Sequence, residues 1–374
     1  MKINNIFLKI SIVINVLMIF FGAYIGNLYI LQFIALAFAI LSLNLKKIKI
    51  KSDTILWIIL CIILIMSTVY SISRQDSIEV VSLIFMAIIL KMLYENEEKE
   101  WKKYFLRLTL ISSGVHVVAT IIQLIFPNLI NSLNSIILSP EGLKINQELY
   151  KTGGYAGITA QTSINAFYIA IFVGIIFLNL VLKKENKALN TFFLIVSIIA
   201  LFVTGKRGML IFSLLSIILI YLYTAFKDKK NILKYVPMFF IIGIIGYISV
   251  INIPQAKVVI DKIQTLNEQG NKLNGRDILW KESIEVFKEN PIVGIGIGNI
   301  QIIIGDYSHN TYIQLLAETG IIGFTMYILA TLISLFTTIK KANIILRKED
   351  IKPKINILFS LFIQGIFIMY RIYW

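Results

Sequence analysis

Two adjacent cations stand between glycines in the run Thr204-Gly205-Lys206-Arg207-Gly208. An arginine presents a planar fork that matches phosphate oxygens, and a neighbouring lysine adds a point charge. Glycines on both sides let backbone N–H groups come close to a ligand. The pattern therefore reads as an anion site, with snorkelling of the two cations to lipid headgroups as the alternative. A second group lies at His309, Asn310, Thr311, Gln314 and Glu318. His309 and Asn310 directly precede an apolar run from 311 to 339, which puts the imidazole at a helix N-terminus, where the dipole favours the neutral ring. A neutral imidazole can take a proton from a hydroxyl and so serve as a general base; its alternative role is that of a polar cap. Thr311, Gln314 and Glu318 share one helical face at spacings of three and four. An ionisable group inside an apolar run costs up to roughly 2.5 to 3.5 kcal/mol. Glu318 is therefore expected to face a polar cavity, where it orients His309, meets an acceptor hydroxyl or makes a structural hydrogen bond.

Other polar residues carry weaker signals. His116 sits in the middle of an apolar helix and reads as a helix-to-helix hydrogen-bonding residue. Arg276, beside Gly275, is by itself an ordinary solvated arginine. The run Gly294-Ile295-Gly296-Ile297-Gly298 looks like a phosphate loop, but no Lys-Ser or Lys-Thr pair follows it, so it reads as a tight turn. Asp277, Glu282, Glu285 and Glu289 alternate with Lys281 and Lys288 as a solvated helix face, not as a glycosidase-like acid pair. One cysteine, Cys61, and two histidines exclude disulfide frameworks and zinc or haem clusters. Only carboxylate-bound magnesium or calcium remains open, and no cofactor is expected.

The elements that must position these residues are read from hydropathy. A chain of 374 residues that is 57% hydrophobic holds more apolar side chains than one soluble core can hide. Apolar runs at 6 to 22, 28 to 45, 54 to 72, 77 to 94, 108 to 126, 164 to 182, 190 to 204, 209 to 226, 235 to 253, 311 to 339 and 355 to 373 predict an all-α integral membrane protein with about 11 spans, in a range of 10 to 12. The first run has no small-residue cleavage site and reads as a span, not a signal peptide. No internal repeat or low-complexity linker divides residues 1–374, which form one polytopic membrane domain.

The sequence has 36 Lys and Arg against 21 Asp and Glu. Clusters at Lys46 to Lys51, Lys183 to Lys187 and Lys227 to Lys234 alternate onto one face, which the positive-inside rule makes cytoplasmic. The surplus is divided among short loops, so nucleic-acid binding loses its support. By the same alternation the long stretches 127–163 and 254–310, and the Lys206-Arg207 turn, face outside. The second stretch has helix-like spacing at 256 to 268 and 277 to 289, and the first ends in a polar, flexible segment from Lys151 to Asn165 that is expected to line a pocket mouth.

The run Gly275-Arg276-x-x-x-Trp280, then Asn290-Pro291-x-x-Gly294-x-Gly296, then His309-Asn310, nine residues and Gly320-Ile321-Ile322-Gly323, resembles the shared core of the O-antigen ligase and O-antigen polymerase superfamily. Phe324 departs from it, since the ligases more usually carry Gly, Thr or Val there. The resemblance implies a membrane glycosyltransferase, metal-independent, whose donor is a glycan on a polyprenyl diphosphate such as undecaprenyl diphosphate. It implies that Arg207 and Arg276 hold the diphosphate and that His309 is the catalytic base; Lys206, Asn310 and Glu318 are read from the residues themselves as further substrate-binding candidates. The expected function is that of a polysaccharide repeat-unit polymerase for capsule or exopolysaccharide biosynthesis, at the outer face of the cell membrane. Its implied partners are the lipid-linked oligosaccharide, membrane lipid, and the chain-length regulator and flippase of the same pathway. Transfer to a lipid A core or a protein, as in a ligase, is the nearest alternative. A transporter of the same lipid is the second, and it would need midplane charges and inverted repeats.

Overall fold

A computed structural model describes residues 2–24, 28–42, 50–96, 100–182, 186–227, 275–347 and 351–370. The helices are α1 (Lys2–Phe21), α2 (Leu28–Ser42), α3 (Ser52–Tyr70), α4 (Arg74–Asn96), α5 (Glu100–Ile125), α6 (Pro127–Ile137), α7 (Pro140–Lys151), α8 (Thr162–Leu182), α9 (Lys187–Val203) and α10 (Arg207–Lys227). They continue with α11 (Arg276–Glu289), α12 (Ile300–Ile304), α13 (Thr311–Ile345) and α14 (Ile351–Tyr370). No strand occurs among the described residues. Among the described residues, five helices, within α3, α5, α8, α10 and α13, are long and apolar enough to cross a membrane, and shorter apolar helices lie in α1, α2, α9 and α14. Lipid offers no partner to backbone polar groups, so a spanning segment must satisfy them within its own helix. The protein is an all-α integral membrane protein. Every expected span among the described residues falls on a helix; the span at 235 to 253 and the amphipathic segment at 256 to 268 lie outside them.

The centre of the bundle is α8, apolar along most of its length and largely buried, packed against α5, α9, α10 and α14. A helix with no polar face belongs inside. Gly174 of α8 makes room for Phe362 of α14, because a Cβ there would overlap the Phe362 ring. His116 of α5 is fully buried, with Nε2 3.1 Å from the Phe20 carbonyl oxygen and its ring 4.5 Å from that of Tyr168.

One expectation is corrected, the flexibility of the segment from Lys151 to Asn165. The stretch 127–163 contains α6 and α7, each opened by a proline at its first turn, which sets φ where the N–H needs no partner. One face of α6 exposes Leu129, Leu133 and Ile136, and the other buries Ile130 and Asn134 against the bundle. The expected flexible segment is also pinned: Tyr155, Ala156 and Ile158 are buried. Its backbone is taken up by side-chain amides, with Gly157 N donating to Gln123 Oε1 at 2.8 Å, Asn134 Nδ2 to Gly157 O at 3.0 Å, and Asn146 Nδ2 to Thr159 O at 2.6 Å. Such bonds let a non-helical segment be buried without orphaned backbone groups.

Hydrogen bonds join several turns of the bundle. Tyr24 Oη donates to Ile158 O, Tyr155 N to Val203 O at 3.1 Å, and Tyr70 Oη to Val293 O at 2.8 Å. The turns after α1 and α9 are thereby tied to the segment 153–161, and the end of α3 to the segment 275–310.

Candidate functional site

The site is built around a broken helix. Gly320 has φ 60 and ψ −168, a conformation open to glycine, and it interrupts α13 where the sequence predicts one continuous span from 311 to 339. The freed backbone groups are taken up by the chain from Pro291 to Gly296. Ile295 N donates to Ala317 O at 3.2 Å and Gly296 N to Glu318 O at 2.8 Å, while Ile321 N donates to Pro291 O at 2.9 Å and Ile322 N to Ile292 O at 3.4 Å. A Cβ on Gly294 or Gly320 would overlap the opposing backbone, so both glycines are required by close approach. A break at this depth is tolerated because protein backbone, not lipid, meets it.

The inserted chain is locked on two sides. Asn299, fully buried, donates through Nδ2 to Ser71 Oγ at 2.7 Å and Ser77 Oγ at 3.0 Å, and its Oδ1 accepts from Ser73 N at 2.7 Å. On the other side, the Glu318 carboxylate, 1% exposed, accepts from Ile300 N and from Gln314 Nε2, each at 3.1 Å. The N–H groups of Gly298 and Asn299 also face it. Gly298 is left-handed at φ 81 and Asn299 right-handed at φ −108, a sequence that turns successive N–H groups toward one anion. The glycine run that resembled a phosphate loop thus holds a carboxylate of its own chain.

The cationic and basic residues stand at helix starts. Arg207 opens α10, after Gly205 at φ 72 and beside Lys206, whose N–H donates to Thr204 Oγ1 at 3.3 Å. Arg276 opens α11 after the left-handed Gly275 at φ 78. Asn310 caps α13, its Oδ1 accepting from Tyr312 N at 3.0 Å and Ile313 N at 3.2 Å. His309, just before the cap, has the left-handed φ of 51 that few non-glycine residues adopt. Its ring is partly buried, and burial holds its pKa below the ordinary histidine range, Asp306 acting against this and Arg276 and Lys206 adding to it. Lys206 and Arg276 are thus close enough for their charges to act on His309. They are separated from each other by 70 positions in the sequence.

Of the residues singled out in the sequence, the structure brings Lys206, Arg276 and His309 together and sets Arg207 next to Lys206. It gives Asn310 and Glu318 protein partners. Asn299, Ser71, Ser77 and Asp306 do not stand out in the sequence. The signal for Asn299 is absent locally, since Ser71 lies 228 residues away.

An apolar cavity of about 630 Å³ lies between α3, α8, α13 and α14 and reaches the start of α13. Thr311 and Ser163 belong to its lining, with Trp57, Leu64, Phe167 and Leu315 among the apolar walls. Thr311 is the first residue of α13, two positions from His309. The arrangement can hold an anion beside a neutral base, next to space for a hydrocarbon chain.

Fold and site define a polytopic membrane protein with a basic centre where helix ends meet beside an apolar cavity. Residues 191–328 match the family described as O-antigen ligase, a segment that includes Lys206, Arg207, Arg276, His309, Asn310 and Glu318. The chain is also similar to the exopolysaccharide production protein ExoQ of Rhizobium meliloti (strain 1021), at 30% identity over 108 residues. That match covers 24% of this chain and spans 23% of the relative's length. Both agree with the superfamily resemblance carried by the Arg276 and His309-Asn310 motifs.

Proposed function

We propose that the protein is a membrane glycosyltransferase that polymerises polysaccharide repeat units at the outer face of the cell membrane. The donor is a glycan chain on a polyprenyl diphosphate, and the acceptor is a lipid-linked repeat unit. His309 takes the proton of the acceptor hydroxyl as its oxygen attacks the anomeric carbon. The bond from that carbon to the diphosphate breaks, and the lipid diphosphate leaves. Arg207, Arg276 and Lys206 hold the diphosphate and neutralise the charge that grows on it. The observation that carries this reading is the meeting of Lys206 and Arg276 with His309 beside the apolar cavity, which suits a lipid tail.

Asn310 and Glu318 serve the site by holding His309 and the segment before it in place. The outward orientation is supported by the alternation of lysine clusters along the sequence. The name of the matched family favours a ligase, which uses the same donor and base with a different acceptor. Phe324 and the exopolysaccharide relative favour the polymerase. Purified protein in vesicles, given the lipid-linked repeat unit as sole substrate, is expected to yield a ladder on a size-resolving gel. Product that forms only when a separate lipid A core or protein acceptor is added would make the protein a ligase. Movement of the lipid between leaflets without any product would make it a transporter.

A further inference from the structure

The carboxylate that the sequence offered as a partner for His309 is engaged elsewhere, since Glu318 is bound by Ile300 N and Gln314. The turn between α12 and α13 supplies another. Asp306 Oδ2 lies 3.9 Å from His309 Nε2. The second oxygen, Oδ1, accepts from Tyr307 N at 2.7 Å, which orients the carboxylate. Gly305 at φ 78 and His309 at φ 51 curl the chain so that side chains three residues apart face each other. Beyond the pair, Ser308 Oγ donates to Asn310 O at 2.9 Å and Asn310 caps α13, so the turn is fixed at its far end.

We propose that Asp306 is the positioning carboxylate of His309, receiving the Nε2–H of the neutral ring and leaving Nδ1 as the nitrogen that takes the acceptor's proton. This inference rests on the reading of His309 as the general base. A base oriented through its other nitrogen by a carboxylate is a recurring arrangement, because it fixes the tautomer and supports the imidazolium that forms. Among the described residues, the charges that act on this ring are those of Asp306, Arg276 and Lys206. The two cations and burial oppose a positive imidazole, and Asp306 alone among them favours it. In the step, the acceptor O–H bond breaks, its proton goes to Nδ1, and the oxygen pair forms the new bond to the anomeric carbon. The bond from that carbon to the diphosphate oxygen breaks with its electrons on the leaving group, and the proton stays on the imidazole. A separation longer than a hydrogen bond in the resting protein fits a contact that tightens when charge develops.

The test compares wild type, Asp306→Asn, Asp306→Glu and His309→Ala in vesicles, following kcat/KM for elongation against pH. Asp306 is 57% exposed at its side chain, so the asparagine variant keeps the packing around it. The expected result is an acidic limb that moves to lower pH in Asp306→Asn by roughly a few tenths of a unit, the scale of an exposed pair. With it comes a several-fold fall in kcat at unchanged KM, and Asp306→Glu restores both. An unmoved limb, with or without a fall in kcat, overturns the pairing. A limb and rate that survive in His309→Ala defeat the general-base reading itself, whereas a limb that vanishes with His309 but ignores Asp306 defeats only this proposal.

Discussion

The carboxylate of Glu318, inside α13, accepts a hydrogen bond from the backbone N–H of Ile300 at 3.1 Å, so the helix that follows His309 grips the chain that precedes it. The segment from Arg276 to His309 is pinned at Ile300 by a residue nine positions past His309. Replacing Glu318 by Ala leaves buried N–H groups without a partner, at a cost of about 1 to 3 kcal/mol per group. We expect Glu318→Ala to lower the thermal midpoint in detergent and to reduce turnover. Glu318→Gln keeps one acceptor oxygen and should lie between Ala and wild type. A wild-type midpoint in Glu318→Ala would show that the grip contributes nothing.

The break at Gly320 makes a separate prediction. A side chain there meets both an unfavourable backbone conformation, worth about 1 to 3 kcal/mol, and the backbone of Ile292. Gly320→Ala should therefore reduce the yield of monodisperse protein on size-exclusion chromatography, and Gly294→Ala should do the same. Gly305→Ala meets no neighbour and should be milder, its cost being the left-handed φ alone.

If Arg276 and Arg207 hold the leaving diphosphate, each alanine variant should lose about 100- to 1,000-fold in kcat, the scale of removing one oxyanion donor. Lysine at either position keeps charge without the fork and should retain more activity than alanine. Steady-state rates on the lipid-linked substrate decide this, and wild-type activity in either alanine variant would remove the diphosphate clamp.

The acid dependence follows from the surroundings of His309. A general base must be neutral, and a pKa below the ordinary value keeps it neutral to lower pH. kcat/KM should hold as pH falls through 6.5, the usual histidine value, and drop only below it. A profile that falls at or above that value would contradict the environment described for the ring.

The spans were legible in the sequence because lipid demands long apolar runs whose backbone groups are met within helices or by other protein. Lys206, Arg207 and His309 stood out because charge and imidazole are rare beside such runs. The break at Gly320 was not legible. The pattern Gly320-Ile321-Ile322-Gly323 reads as a surface for close helix packing, and close approach is what it provides, but the neighbour at Gly320 is the loop Ile292–Val293 and not a helix. Hydropathy also hid α6 and α7, whose half-polar faces read as loop. The hydrogen bonds of Asn299 to Ser71 and Ser77 join residues more than 200 positions apart, a pairing that no local pattern encodes.

The most direct test of the account is polymer formation by His309→Ala in vesicles supplied with the lipid-linked repeat unit, beside wild type at matched membrane insertion. The account predicts that the ladder disappears while the protein remains inserted and intact. Full-length polymer from the variant would show that another group takes the acceptor's proton.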